Sequence, residues 1–414
     1  MRTTGETWAT RLCGVSMALA LLMVFVPAVV AQAQTFTVLY NFTGADGGAP
    51  QAGLIRDSSG NLYGTTEGGG SGYGVVFELT ATGTYTVLHE FCTVRYCTDG
   101  EYPFAGLVRD AAGNLYGTTY AGGTSNACGD SGCGTVFKVN KHGKESVLYS
   151  FTGEPDGAAP DAGLVQDAAG NLYGTTVEGG AYGSGTVFKL SKTGKETVLY
   201  SFTGTGGDGA RPCAGLVRDA AGNVYGTTYA GGTGQCDDNG LMGCGTVFKL
   251  SKTGKETVLY SFAGTGDGAY PYAGLVRDAA GNLYGATYDS EGGEGYGVVF
   301  KLDETGTETV LHSFTDEPDG AYPYAETLVR DAKGDLYGTT FGGGSGYCES
   351  YIGCGVVFAV TATGTETVLY TFPEDGGDGA NPIAGLVRDA KGNLYGTTWL
   401  GGAYGVGVVF KLTP

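Results

Sequence analysis

The sequence predicts an all-β protein: a seven-bladed β-propeller of four-stranded blades, closed by the N-terminal strand completing the last blade. Three observations predict it. First, the phrase Asn-Leu-Tyr-Gly-Thr-Thr, with small changes, begins at Asn61, Asn114, Asn171, Asn223, Asn282, Asp335 and Asn393, at spacings of 52 to 59 residues. Self-similarity at such a period marks a repeat architecture. Second, every repeat holds four runs rich in Val, Tyr, Phe, Leu and Thr, the residues that fit a pleated, half-buried surface. Third, the fourth run of each repeat ends at Phe42, Phe91, Phe151, Phe202, Phe262, Phe314 and Phe372. The first of these precedes every other run, and the last repeat lacks a fourth run of its own. Closing a ring solves both problems and leaves no large sheet face exposed, whereas an open solenoid would need capping units.

In the third repeat the runs are Gly163–Asp167, Asn171–Thr176, Gly185–Leu190 and Glu196–Phe202, here termed strands A, B, C and D. Asp-Ala-Ala-Gly-Asn joins A to B and Ser-Lys-Thr-Gly-Lys joins C to D, both short and Gly-bearing as hairpins require. Thr186-Val187-Phe188-Lys189-Leu190 puts bulky side chains on both faces of the sheet, so each sheet is expected to have a neighbour on each side.

Composition closes off the alternatives. Of 414 residues, 42% are hydrophobic and only 16% charged, too apolar for a disordered chain. The 79 Gly are not in collagen order, the Pro number only 12, and Gly punctuates nearly every segment, which excludes long helices. The net charge of −19 removes nucleic acid and anionic membrane surfaces from the expected partners, since both need a basic field.

Residues 1–33 read as a secretory signal peptide: Arg2 and Arg11, an apolar run from Leu12 to Val30, and a small-x-small site at Ala31-Gln32-Ala33. Residues 34–414 then form one propeller, secreted, periplasmic or on the cell surface. An uncleaved anchor is the alternative. No other segment is long and apolar enough to span a bilayer as a helix.

Export makes the cysteines legible. Cys92/Cys97, Cys128/Cys133, Cys236/Cys244 and Cys348/Cys354 form close pairs, and Cys213 is odd. Disulfides fit them better than zinc, because no pair is CxxC and no His cluster accompanies them. Connectivity stays open, and Cys213 is free to take a partner from one of the pairs.

The repeated charged residues have structural explanations. Asp57, Asp110, Asp167, Asp219, Asp278, Asp331 and Asp389 in the A–B turn suit Asx hydrogen bonds to the turn backbone. Arg56, Arg109, Arg218, Arg277, Arg330 and Arg388 precede them, with Gln166 in the third repeat. A cationic ring around the channel is one reading of these arginines. Bridges to carboxylates of their own or the next blade is the other, and the surplus of acid favours it. Each D–A linker reads Asp-Gly-x-x-Pro, with Asp46, Asp99, Asp156, Asp208, Asp267, Asp319 and Asp378. Seven Asp offer oxygens of the kind calcium takes, yet a turn signature explains every copy, so no cofactor and no metal is expected.

In a meander, successive turns alternate ends. The A–B and C–D turns share one face; the B–C loops and D–A linkers share the other. The copies diverge only on the second face, where variable loops on a rigid scaffold carry function. Just after strand B stand Glu67, Tyr120, Val177, Tyr229, Tyr288, Phe341 and Trp399. The linkers add Tyr102, Phe104, Tyr270, Tyr272, Tyr322 and Tyr324, and the B–C loops add Tyr73, Tyr182, Tyr296 and Tyr404. Tyr120, Tyr229, Tyr288, Phe341 and Trp399 are therefore the candidate ligand-binding residues, suited to stacking on sugar faces while acids bond hydroxyls. The competing reading makes them plugs between blades.

Catalytic residues are not expected. His89 and His312 replace a strand-D Tyr, His142 sits in a C–D turn, and neither G-x-S-x-G nor HExxH occurs. The function expected is thus a non-catalytic binding or scaffold module, for carbohydrate or another envelope polymer. The alternative is a carbohydrate-active enzyme, glycosidase or lyase, using carboxylates of the variable face. A purely structural surface-layer component is a third.

The unit L-V-x-D-x-x-G-N-L-Y-G-T-T…G-x-V-F-K-L…T-V-L-Y-S-F, for example Leu164 to Phe202, resembles the GloVer (Gloeo–Verruco) tandem repeat of bacterial choice-of-anchor surface proteins. The resemblance covers the chain after the leader. It implies a secreted or surface-attached propeller and no particular activity.

Overall fold

Seven four-stranded antiparallel sheets, each an A-B-C-D meander, make up the blades of a propeller in the computed structural model. The structure describes residues 34–414 apart from Asn239, 291–294, Ala325, Gly346, Glu349 and Ser350. The leader expected over residues 1–33 lies outside the described residues.

In the third blade strand A is Val165–Gln166, B is Leu172–Thr176, C is Thr186–Leu190 and D is Glu196–Ser201. Strand A is shorter than the sequence suggests in every blade, only two residues. It is the innermost strand, where the blades converge and only a short stretch finds a partner.

The ring closes as expected. Thr35–Asn41 pairs antiparallel with Val408–Thr413, Phe36 opposite Leu412, and supplies strand D of the seventh blade. In the complete blades strand D carries a bulge opposite the Val–Phe step of strand C, as between Val187 and Phe188. The bulge increases the local twist of this outer strand.

Strand B is buried almost throughout and strand C on both faces. Between blades the packing is a closed circle of ring pairs. The Phe that follows each strand D meets the strand-C Phe of the next blade edge to face, as in Phe151–Phe188 at 5.1 Å and, across the closure, Phe42–Phe77 at 5.4 Å. Strand B carries Gly opposite that ring for lack of room. A Cβ on Gly174 would lie 2.8 Å from both Phe188 Cζ and Leu164 Cδ2.

The turn acids act as expected. Asp167 Oδ1 accepts the N–H groups of Ala169 and Asn171, both at 2.9 Å, and its Oδ2 accepts Asn171 Nδ2 and Tyr173 Oη. Burial pushes this carboxyl up, but the hydrogen bonds outweigh it and hold it below the ordinary range. The repeated arginines form no channel lining. Arg388 Nη2 reaches Asp331 of the preceding blade at 3.7 Å, and each of the six lies over a strand-B Tyr of the blade before it, as Arg109 over Tyr63. These are bridges between blades.

Around the outside, the linker Asp accept from strand D: Tyr200 Oη donates to Asp208 at 3.0 Å, and His312 replaces Tyr beside Asp319 at the same distance. The neighbouring blade adds a Glu at the start of its own strand D. Glu145, Glu196, Glu256, Glu308 and Glu366 each hold one oxygen out of solvent and without a hydrogen-bond partner. At the two blades flanking the closure an aromatic stands there instead. Tyr85 stacks on Tyr40, and Phe36 on Tyr370, both at 4.0 Å.

All four close cysteine pairs are disulfides: Cys92–Cys97, Cys128–Cys133, Cys236–Cys244 and Cys348–Cys354. Cys213 takes none of their partners and is the free cysteine among the described residues. No helix among those residues is long and apolar enough to cross a membrane.

Candidate functional site: the axial mouth

Each blade delivers two side chains to the axis, and one local device aims both. The residue before the linker Pro adopts a left-handed backbone in all seven copies: Ala49, Tyr102, Ala159, Arg211, Tyr270, Tyr322 and Asn381, with φ of 51° to 58°. Its N–H donates to the preceding blade, as Tyr102 N to Tyr73 O at 2.9 Å. Its carbonyl accepts the N–H of the residue after strand B in its own blade, as Tyr120 N to Tyr102 O at 2.9 Å. Such a conformation costs of order 1–3 kcal/mol in a residue with a Cβ and persists where the surroundings over-determine it. Here it holds the residue after strand B and turns the residue after Pro inward.

The result is a cavity of about 680 Å³ on the variable-loop face. Tyr120, Tyr229 and Tyr288 line it, and Tyr288, Phe341 and Trp399 line an adjoining lobe of about 260 Å³. The structure thus brings all five sequence candidates to one mouth. Their rings also pack on neighbouring rings. Tyr229 stacks on Tyr270 at 5.0 Å and donates to Asp238 at 2.7 Å; Tyr288 stacks on Tyr322 at 4.9 Å. Phe341 and Trp399 lie 6.3 Å apart, and the indole N–H of Trp399, out of solvent, has no acceptor among the described residues. Of the B–C loop tyrosines, Tyr182 and Tyr404 are 64% and 63% exposed, whereas Tyr73 and Tyr296 pack on linker rings.

A second ring lies deeper, made by the residues after the linker Pro: Gln51, Phe104, Asp161, Cys213, Tyr272, Tyr324 and Ile383. Sequence reasoning singled out the aromatics and the odd cysteine of this ring but passed over Gln51, Asp161 and Ile383. The signal was a fixed offset from Pro. Tyr272 and Tyr324 stack at 4.1 Å, and Tyr272 Oη donates to Asp161 at 3.3 Å. Burial pushes the Asp161 carboxyl up to about 6, with Glu326 adding to the effect, and burial likewise raises the Cys213 thiol.

The floor is a departure from the repeat. Six blades follow Pro-x-Ala with Gly, at Gly53, Gly106, Gly163, Gly215, Gly274 and Gly385, but the sixth blade reads Pro323-Tyr324-Ala325-Glu326-Thr327-Leu328, one residue longer. The Glu326 side chain crosses the axis. Its Oε2 accepts Gly53 N at 2.7 Å and its Oε1 accepts Gly106 N at 3.0 Å, in blades one and two. Burial raises this carboxyl while the two amide hydrogen bonds lower it, and burial prevails. The preceding blade matches the irregularity. In six copies the first Thr of Gly-Thr-Thr is retained, and in blades such as the second it donates to the next linker's Ala carbonyl, Thr118 Oγ1 to Ala162 O at 3.2 Å; the fifth blade has Ala286 there. Among the described residues that line the mouth, Arg211 is the one cation, 4.0 Å from Glu178.

The Gloeobacter/Verrucomicrobia repeat model matches residues 26–237 and 233–414. The chain belongs to the Gloeobacter/Verrucomicrobia repeat family. Among curated proteins no sequence matches it. Among solved structures, virginiamycin B lyase from Staphylococcus aureus is similar in fold, with a TM-score of 0.58 at 14% identity over 92% of this chain and 99% of that one. The extracellular domain of a protein described as a hybrid two-component system from B. thetaiotaomicron has a TM-score of 0.56 at 13% identity, over 92% of this chain. The match spans 41% of that longer chain. The extracellular domain of a protein described as a one-component system, also from B. thetaiotaomicron, gives a TM-score of 0.54 at 12% identity, over 90% of this chain and 39% of that one. At such identities the likeness is one of fold.

Proposed function

We propose that this Gloeobacter/Verrucomicrobia repeat protein is an extracellular binding module whose axial mouth takes carbohydrate or another envelope polymer. The observation that carries the reading is convergence. Blades one to six deliver divergent residues to one cavity, six aromatic rings among them, and the seventh adds Trp399 to the adjoining lobe, while the opposite face stays repetitive. Rings with polar edges and carboxylates nearby suit sugar faces and hydroxyls. Four disulfides fit an oxidising compartment, and two similar folds are extracellular domains of proteins described as a two-component and a one-component system. The leader over residues 1–33 directs export and is removed after Ala33, which N-terminal sequencing of the secreted protein tests.

Isothermal titration against a glycan panel tests the binding reading. A glycan is expected to bind wild type and to lose about ten-fold or more in affinity with Trp399→Ala or Tyr288→Ala. A panel that leaves the wild type silent, or binding indifferent to both variants, would refute it. A second reading, a glycosidase or lyase, is favoured by one observation: Asp161 and Glu326 face the same axial chamber. Reducing ends or unsaturated products released from a polysaccharide by wild type and not by Asp161→Asn would establish it. No release from any polysaccharide would retire it.

A further inference from the structure

The chamber below the mouth measures about 40 Å³, room for one small group. Asp161 and Glu326 face it, with the rings of Phe104, Tyr272 and Tyr324 as walls. Asp161 accepts from a single protein donor among the described residues, Tyr272 at 3.3 Å. Among the described residues lining the mouth, the one cation, Arg211, is already beside Glu178. Two carboxyls thus share one small chamber, and among the described residues no cationic side chain lines it.

We propose that this chamber receives a protonated primary amine, so that the ligand of the mouth is an amine-bearing one such as a deacetylated amino sugar. The proposal rests on the reading of the mouth as a ligand site and specifies what that site selects. An ammonium group is close to a water molecule in size, which takes about 30 Å³. It donates hydrogen bonds where Asp161 offers an open carboxylate, and aromatic rings, which favour a cation, line the same chamber. A divalent metal suits the place less well. Both Glu326 oxygens already accept backbone N–H groups, whose positive ends face the same site. That leaves Asp161 as the one open carboxylate, against the roughly six to eight oxygens calcium takes. Burial raises the Asp161 carboxyl to about 6, so at neutral pH it is still mainly ionised.

The test is isothermal titration of wild type and Asp161→Asn with four probes: a glucosamine tetramer, its fully N-acetylated counterpart, spermidine and calcium chloride. The Asn side chain keeps an acceptor for Tyr272 and removes the charge. The glucosamine tetramer is expected to bind wild type about ten-fold or more tightly than the acetylated one, and to lose that advantage in Asp161→Asn. Its affinity is expected to fall as the pH drops below about 6, where the Asp161 carboxyl takes a proton. Circular dichroism of the variant, unchanged from wild type, excludes misfolding as the cause. If both tetramers bind equally and the variant is silent, the amine inference falls while the glycan reading stands. If spermidine alone binds, in an Asp161-dependent way, the chamber stands and the glycan reading falls. Failure of both amines to bind, or Asp161-dependent binding of calcium in their place, overturns the inference.

Discussion

Acid should stabilise this protein, and the outer grooves say by how much. Glu145, Glu196, Glu256, Glu308 and Glu366 each place a carboxyl against the neighbouring blade, with one oxygen out of solvent and unpaired. Burial first, and then the charge of Asp99, Asp156, Asp208, Asp267 or Asp319, pushes each carboxyl from its ordinary 4.5 up to about 7. At face value such a change is worth about 3 kcal/mol per site. These groups are only half buried, so solvent screening reduces it to about 1 kcal/mol each, on the order of 5 for the set. The sign follows from the direction. The folded carboxyl holds its proton more tightly than the unfolded one, so the contribution is whole below pH 4.5 and is lost as the pH rises through about 7. Asp161, raised to about 6, acts the same way; His89, lowered by burial, opposes it in one groove. For a body of about 400 residues, 1 kcal/mol moves the melting temperature by about 1 °C. Differential scanning calorimetry at constant ionic strength should therefore show a melting temperature roughly 5 °C lower at pH 8 than at pH 5. Replacing all five Glu by Gln should flatten the slope and raise the pH 8 value. A melting temperature that is level or rises from pH 5 to pH 8, or a five-fold variant that keeps the wild-type slope, would refute the reasoning.

Three further outcomes are expected. Phe42→Ala removes a side chain with 0% exposure from the pair that joins the last blade to the first. It should cost about 3–5 kcal/mol in urea unfolding, the same as Phe202→Ala at the equivalent interior junction; a silent Phe42 variant would mean the ring does not close there. Gly174→Ala forces a Cβ against Phe188 and Leu164, at 2.8 Å each, and should destabilise by about 1–3 kcal/mol by the same assay. Asp167→Ala strips four donors of their acceptor and should cost about 2–3 kcal/mol at pH 7. Because hydrogen bonds hold the folded carboxyl below its ordinary range, that cost should be whole above the ordinary Asp value and shrink as the pH falls below it, so unfolding of variant and wild type should converge in acid.

The repeat itself determined the blade number, the circular closure, the division into a repetitive and a variable face, and the four close cysteine pairs. Each follows from short-range chemistry written several times over: alternating β-formers, Gly-bearing turns, and cysteines close enough in sequence to meet without help from the fold. The five ring candidates were legible for the same reason, since a fixed offset from strand B keeps its direction in every blade. The tertiary structure decided what lies on the axis. Strand A shrinks to two residues only because seven blades converge there, and Gln51, Asp161 and Ile383 become neighbours although more than 300 residues separate the first from the last. The arginines could have lined the channel or bridged the blades, and only the twist of the sheets places Arg388 over Tyr337 beside Asp331. Glu326 stood in the sequence as one extra residue in one linker. That it spans the axis to Gly53 and Gly106 depends on the distance across a closed ring, a length that no local pattern encodes.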